Sequence, residues 1–234
     1  MITIMSWLWR QNVTLNTYTA EHVNTWAAMV RRNVTIPHRL ACVTDMPEGI
    51  DPSIEIIPLP DPFGQVNNPH WRASAGKPQC YRRLDIFRKD AADTYGERIC
   101  WIDLDSCIGG NIDDLLSKDT DFAILESIAA NRPYNGSMVL LNAGSRPQVF
   151  DRFTPRRAEE ASEKYVGSDQ AWLAYVLGWC EDRISTTDGV YCWTRRMTKI
   201  PKNCRVLMFP GRINPWDYDK HGLDWVKEHY RLDQ

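Results

Sequence analysis

Residues 98–105 read Arg-Ile-Cys-Trp-Ile-Asp-Leu-Asp, an apolar run that ends in two acids separated by one residue. A short apolar run of this kind predicts a buried strand over Arg98–Ile102. Side chains two positions apart leave a strand on the same side, so Asp103 and Asp105 should project together at its carboxyl end. Open α/β sheets bind their ligands at that end of the strands. The stretch therefore predicts both a fold class and a place for the site.

Strands and helices alternate along the rest of the chain. Further strands are predicted at Ile2–Trp9, Arg39–Thr44, Ile54–Ile57, Asp121–Leu125, Ser137–Leu141 and Cys204–Phe209. Helices are predicted after Thr19, from Tyr81 to Gly96, after Ser168 and over Asp224–Arg231, with loops at 58–78 and 127–136. The pattern predicts one α/β domain over residues 1–234, with a mixed, mainly parallel central sheet flanked by helices.

The composition is that of an ordinary globular chain. Its 234 residues are 43% hydrophobic and 25% charged, which excludes a disordered or fibrous protein. A net charge of −2 argues against an electrostatic nucleic-acid binder. No apolar run approaches the roughly 20 residues that span a bilayer. Seven cysteines without a C-x-x-C pair favour neither a zinc cage nor a disulfide framework, so we expect a reduced, cytoplasmic protein.

Paired acids occur three times in the chain. The D-x-D sequences are Asp103/Asp105, Asp119/Asp121 and Asp217/Asp219. Only the first follows an apolar strand and precedes a glycine-rich turn, at 108–110. Two adjacent carboxylates repel each other, and a hard cation such as Mg²⁺ or Mn²⁺ relieves the repulsion while also binding substrate phosphates. From these residues alone, a metal site and an acidic turn that caps the next helix are equal alternatives.

The segment around this first pair resembles the donor-metal segment of the retaining glycosyltransferases of family 8, which include glycogenin-like enzymes and bacterial lipopolysaccharide galactosyltransferases. The resembling residues are Trp101–Asp105 followed by Asn111–Leu116. Further stretches resemble the family's segments in the same order: Tyr81–Leu84, Asn135–Val139, Gly167–Gln170 and Phe209–Trp216. The resemblance covers nearly the whole chain, and it implies a GT-A-like fold related to the Rossmann fold.

The resemblance also implies an activity and a set of site residues. It implies transfer of a sugar, with retention of configuration, from a nucleotide-sugar, a UDP-sugar, with Mn²⁺ or Mg²⁺ as cofactor. The implied acceptor is a cell-surface glycan precursor, reached from the cytoplasm by peripheral contact with the membrane. Asp103 and Asp105 would bind the metal, and the implied catalytic residues are Asp169, Gln170 and Asn135. The implied nucleotide-sugar contacts are Trp9, Arg10, Tyr18, Arg83, Asp103, Gly211 and Arg212.

The chain departs from the family pattern in its closing segment. The family supplies a histidine there as third metal ligand, and the candidate positions here are Met208 and Pro210. The family's diphosphate-binding lysine is Asn214, and the guanidinium of Arg212 would supply the missing charge. We therefore expect an ion held by two carboxylates, the diphosphate and water.

Other interpretations stay open at this point. A chain without the metal histidine could bind a nucleotide-sugar or a glycan without turnover. A phosphatase of the haloacid dehalogenase class also uses a strand followed by D-x-D, although normally on its first strand. The single residues have ordinary structural explanations as well: a helix N-terminus for Asp169, an Asn-Gly turn for Asn135, a solvated helix charge for Arg83, and packing for Tyr18 and Trp9.

Overall fold

The computed structural model describes residues 1–11, 18–66, 79–165 and 167–232. Within these ranges the strands are Ile2–Leu8 (β1), His38–Thr44 (β2), Glu55–Pro58 (β3), Arg98–Ile102 (β4), Ser106–Ile108 (β5), Phe122–Glu126 (β6), Tyr134–Asn142 (β7), Asp182–Ile184 (β8), Val190–Cys192 (β9) and Val206–Met208 (β10). The α-helices are Ala20–Asn33 (α1), Ala92–Tyr95 (α2), Asp113–Leu116 (α3), Gln148–Asp151 (α4), Pro155–Tyr165 (α5), Asp169–Leu177 (α6), Tyr218–His221 (α7) and Asp224–His229 (α8). Two 3-10 helices span Cys80–Phe87 and Thr186–Asp188. No helix among the described residues has the length and apolar character needed to cross a bilayer.

The central sheet is mixed and mainly parallel, as the sequence predicts. Its seven strands lie in the order β3-β2-β1-β4-β7-β6-β8. Strand β7 runs antiparallel to both of its neighbours, and the other pairs in the sheet are parallel. The chain builds from β1 through β2 to β3 on one side and then returns to place β4 on the other side of β1. The carboxyl ends of β1 and β4 thus form the switch point where open α/β sheets bind ligands.

Both faces of the central sheet are buried, which explains why its inner strands are almost wholly apolar. Along β4, Cys100 and Ile102 join the core on the α1 side of the sheet, whereas Ile99 and Trp101 join the core on the opposite side. Helix α1 begins after Thr19, whose hydroxyl and the imidazole of His22 complete a capping box. Strands β1, β2, β3, β4 and β6 agree with the predicted strands within one residue at each end, whereas β7 begins three residues before its predicted start and β8 was not predicted.

A second, three-stranded sheet was not anticipated from the sequence. Strand β10 lies in its middle, antiparallel to β5 and parallel to β9. The predicted strand Cys204–Phe209 contains β10, whereas β5 and β9 were not predicted, because three residues are too few for a periodic pattern to reveal. Because only three residues separate the end of β4 from the start of β5, Asp103 and Asp105 lie at the junction between the two sheets.

The predicted single helix from Tyr81 to Gly96 is wrong. The chain instead forms the 3-10 helix Cys80–Phe87, an extended residue at Arg88, and the short helix α2. Every residue from Tyr81 to Phe87 is buried, the two arginines included, so contacts on all sides rather than one apolar stripe determine the backbone.

The predicted loops also need correction. Strand β7 begins at Tyr134, so the Asn-Gly pair at 135–136 lies inside a strand and is not a turn. Of the predicted loop at 58–78, Pro58 ends β3, and residues 67–78 lie outside the described residues.

Candidate active site

The paired acids lie at the switch point, together with a tyrosine that follows β1. The hydroxyl of Tyr18 donates a hydrogen bond to Oδ2 of Asp105 at 3.2 Å. The backbone NH of Asp103 donates to the carbonyl oxygen of Ser137 on β7 at 2.9 Å, which continues the β4–β7 ladder beyond the end of β4. Two neighbouring strands therefore fix where the carboxylates point, and Tyr18 has a polar partner as well as a packing role.

Arg83 links the paired acids to a third carboxylate. Its Nη1 lies 2.7 Å from Oδ1 of Asp103, and its Nη2 lies 2.5 Å from Oδ2 of Asp169. The guanidinium carbon lies 4.7 Å from the ring centroid of Trp101, whose Nε1 donates to the same oxygen of Asp103 at 3.0 Å. Arg83 is only 8% exposed, so its interpretation as a solvated helix charge is wrong. It holds two acids from different elements in one fixed arrangement.

The carboxylates are held where negative charge is unfavourable. Burial raises the pKa of Asp103 although the Arg83 guanidinium acts in the opposite direction. Burial, and then the neighbouring charge of Asp103, raise the pKa of Asp105 to about 7. For Arg83, burial works against the charged form, but Asp103 and Asp169 outweigh it and raise its pKa above the ordinary value. A pair of acids in this state is one that a cation would stabilise.

A second group of predicted residues lies on the other side of Arg83. Asp169 is the first residue of α6, is 2% exposed, and accepts a hydrogen bond from the Ser168 hydroxyl at 3.0 Å. Gly136 of β7 faces it: a Cβ at that position would lie 3.4 Å from Oδ2 of Asp169 and 3.7 Å from Cβ of Gln170. The structure thus brings the Asn135–Gly136 pair of β7 next to the Asp169–Gln170 pair of α6.

Asn135 is held by its own strand and by the small sheet. Its side-chain oxygen accepts from the NH of Ser137 at 3.0 Å, and its Nδ2 lies 3.9 Å from Sγ of Cys192 at the end of β9. Burial raises the pKa of the Cys192 thiol to about 11, so the cysteine stays protonated beside the amide. Asn135 therefore lies where the central sheet and the small sheet meet.

The same arrangement of elements occurs in solved glycosyltransferases. The galactosyltransferase LgtC, solved with donor and acceptor sugar analogs, superposes with a TM-score of 0.60 at 13% identity over 99% of this chain and 98% of LgtC. An active-site mutant of LgtC gives 0.61 at 15% identity over 93% of this chain and 90% of its own. The glycosyltransferase GlyE of Streptococcus pneumoniae gives 0.55 at 12% identity, with 97% of this chain covering 63% of GlyE. The fold is that of the family 8 glycosyltransferases.

Comparisons of sequence add nothing to this result. No family model matches the chain, and no curated protein sequence matches it. The superpositions show a family 8-like, GT-A-like fold, but identities of 12–15% do not establish a shared chemistry.

The segment that holds the positions of the family's metal histidine, Met208 and Pro210, lies beside the paired acids, although neither of these two residues can replace a histidine as a metal ligand. The NH of Phe209 donates to the backbone oxygen of Asp105 at 2.9 Å, and Met208 pairs with Ser106. Within the described part of the chain, no group of three or more His, Cys, Asp or Glu side chains is placed to hold a metal. Asp103 and Asp105 fit a hard cation as two oxygen ligands of an incomplete set, so any such ion needs further oxygens from a substrate and water.

The remaining predicted nucleotide-sugar contacts are Trp9, Arg10, Gly211 and Arg212. Trp9 is 6% exposed in the core, and Arg10 is exposed, its NH bonded to Oδ1 of Asp45 at 3.0 Å. Gly211 and Arg212 are exposed after β10. Their roles in binding stay predictions.

Sequence reasoning missed two features of the site. Trp101 lies two residues before Asp103, and the alternation of a strand could have placed both side chains together. His22 and Trp216 form an aromatic cluster with Tyr18: the ring centroids of His22 and Trp216 are 4.2 Å apart, and those of Tyr18 and Trp216 are 5.7 Å apart. No local signal joins these residues, which are nearly 200 positions apart in the chain.

Proposed function

We propose that this chain is a metal-dependent glycosyltransferase, a single domain that moves a sugar from a nucleotide-sugar, a UDP-sugar, to a saccharide acceptor. The observation that carries the proposal is the ion-paired chain Asp103–Arg83–Asp169, with Asp105 alongside, at the switch point of a glycosyltransferase fold. Glycosyl transfer needs charge stabilisation for a leaving diphosphate and polar groups around a reacting sugar carbon. Asp103 and Asp105, at one end of this ion-paired series, would provide the charge stabilisation through a cation, and Asp169, at the other end, would provide a polar group beside the sugar carbon.

At the diphosphate end, Asp103 and Asp105 would hold Mn²⁺ or Mg²⁺, and Tyr18 fixes the orientation of Asp105 through its hydroxyl. When bound, the cation would act as a Lewis acid on the departing diphosphate. Arg83 favours the ionised form of Asp103 against the effect of burial and holds its carboxylate in position. Arg212 would add positive charge from the loop after β10.

At the sugar end, Asp169 and Gln170 would lie beside the anomeric carbon, and Asn135 would contact the sugar from β7. The carboxylate of Asp169, fixed by Arg83 and Ser168, would stabilise the positive charge that develops as the bond to diphosphate lengthens. Retention of configuration follows from the resemblance to family 8 and is part of the proposal.

Thermal unfolding with nucleotides tests this proposal first. UDP, GDP and CMP are each added with and without Mn²⁺ to the wild type, to Asp105→Ala, and to Asp119→Ala as a control from an exposed D-x-D pair. A ligand at 100 times its Kd adds about 2.7 kcal/mol, a Tm rise of roughly 5–10 °C for a domain of this size. We expect that rise with UDP and Mn²⁺ in the wild type and in Asp119→Ala. Its absence with every nucleotide would refute the proposal.

A second candidate, binding without turnover, is favoured by the lack of a third protein ligand among the described residues. The two candidates differ in one measurable product. Release of free sugar or of UDP from a UDP-sugar in the presence of Mn²⁺ supports the enzyme, whereas a UDP-dependent Tm rise without any release across a panel of UDP-sugars supports the binding protein.

A further inference from the structure

One segment of the chain is strongly basic although the whole chain is not. Residues 189–216 contain six lysines and arginines and no acid, in a protein of net charge −2. The basic residues are Arg195, Arg196, Lys199, Lys202, Arg205 and Arg212. All of them except Arg205 are exposed, and Arg205 lies 3.5 Å from Asp114. For the other five, no acid among the described residues lies within ion-pair distance, so their charge is open to a partner.

The small sheet determines where these charges lie relative to the site. Strands β9 and β10 are parallel, with Cys192 opposite Met208, so both strands end at the same edge. That edge is the site edge, because Cys192 contacts Asn135 and the residue after Met208 bonds to Asp105.

Two arginines follow shortly after the end of β9. Trp193, the first residue after β9, is fixed at the site edge because its NH donates to the carbonyl oxygen of Met208 at 2.7 Å. Arg195 and Arg196 follow two and three residues later, so their Cα atoms lie within about 11 Å of that of Trp193. Both arginines therefore lie near the end of the small sheet that contacts Asn135 and Asp105.

We propose, on the basis of the glycosyltransferase function proposed above, that Arg195 and Arg196 bind an acceptor saccharide that carries carboxylate or phosphate groups. The candidate site contains three carboxylates, those of Asp103, Asp105 and Asp169, and the guanidinium of Arg83 pairs with two of them, so the excess negative charge repels an anionic sugar. Arginines near the site offset that repulsion, and the guanidinium fork pairs with either anionic group through two hydrogen bonds. A neutral acceptor would not need them.

Calorimetric titration with defined trisaccharides tests this inference. The probes are trigalacturonate, maltotriose bearing one phosphate, and plain maltotriose, each titrated into protein holding UDP and Mn²⁺ and again into protein without them. We expect binding of one or both anionic probes, weaker at higher salt, and weaker binding of maltotriose. The stronger of the two anionic probes identifies the group that is recognised.

Charge reversal gives the matched comparison. Arg195→Glu/Arg196→Glu should weaken anionic binding roughly tenfold, the size expected for losing two exposed charge contacts. Arg152→Glu/Arg156→Glu changes the same number of charges on exposed arginines around the start of α5 and should leave it unchanged. Equal affinity for all three probes, no anionic binding at millimolar concentration, or an equal loss in both double variants would overturn the inference.

The UDP-dependent Tm rise of the same samples separates the two proposals. If the wild type shows no Tm rise with UDP but still binds the anionic trisaccharides, the proposed function is contradicted and the role of the arginines is not. If the wild type shows the Tm rise but binds all trisaccharides alike, the role of Arg195 and Arg196 is contradicted and the proposed function is not.

Discussion

Arg83 sets the charge balance of the site, because it contacts Asp103 and Asp169 while its guanidinium lies over Trp101. Two carboxylates and one guanidinium leave a net negative charge in a largely buried place. Such an arrangement is stable only while every member is present, since removing one partner of a buried pair leaves an uncompensated charge.

Replacing Arg83 by methionine should therefore destabilise the fold. We expect a loss of about 3 kcal/mol in the free energy of unfolding, measured by urea denaturation at pH 7.5. Adding Asp169→Asn to that variant removes one orphaned charge and should restore part of the loss. Independent, additive effects of the two substitutions would contradict the bridging role.

Asp105 makes the stability of the metal-free protein depend on pH. Its pKa of about 7 in the fold lies above the ordinary 3.8, so the native state holds this proton more tightly than the unfolded chain. The contribution of Asp105 to stability therefore falls as the pH rises from about 4 to about 7, and the cost is complete above that. Asp105→Asn carries no such charge and should gain in Tm over the wild type through this window, with EDTA present. A Tm difference that does not change between pH 5 and pH 8 would contradict the burial of this charge.

At the scale of single residues, the local sequence places the acids but not their partners. Asp103 and Asp105 directly follow a strand that has the predicted bounds, and their role as metal ligands stays a prediction. The bridge from Arg83 to Asp169 joins residues 86 positions apart, and the pairing depends on how a 3-10 helix packs against α6. Tertiary contacts of this kind leave no mark in the local sequence.

The elements that were predicted well are those whose local pattern and burial agree. Strand β4 has the predicted bounds, and α1 begins at its predicted cap. The segment from Tyr81 to Gly96 failed because its buried arginines look like a solvated helix face in the sequence. The small sheet failed because three-residue strands are stabilised by their neighbours and not by their own composition.

Strand β5 and helix α8 are packed so closely that one glycine is required between them. A Cβ at Gly109 would overlap the rings of Trp225 and His229. Gly109→Ala should therefore displace α8 and cost about 1–3 kcal/mol of stability, measured by thermal unfolding. Gly110→Ala is the matched control, because its Cβ would lie 3.2 Å from Cα of Arg205, a milder crowding. Equal stability of both variants and the wild type would contradict this prediction, because it would show that α8 can shift without any loss in the free energy of unfolding.

Across the whole molecule, the cysteines are distributed by burial. Cys180 is exposed, and five of the other six are buried; Cys80 is the sixth, with intermediate exposure. Burial raises the pKa of Cys80, and also of Cys42 and Cys100, to about 12, which keeps these thiols protonated at neutral pH.

Alkylation should accordingly modify one cysteine quickly and six slowly. Iodoacetamide at pH 7.5, followed by mass spectrometry, should give a single fast adduct at Cys180 in the native protein and seven adducts in urea. Cys180→Ser should remove the fast phase. Rapid modification of Cys80 in that variant would mean that the segment that carries Cys80 and Arg83 opens to solvent more than its burial indicates.

The junction between the two sheets has a consequence for the order in which the protein is made. A ribosome releases the chain at about 5–20 residues per second, so Asp103 and Asp105 emerge several seconds before the strand Val206–Met208 that pairs with Ser106–Ile108. Until then the segment after β4 lacks one of its neighbours, and the backbone oxygen of Asp105 lacks its hydrogen bond from the NH of Phe209. The candidate site is therefore among the last parts of the molecule to mature during synthesis, long after the strands that support it have emerged.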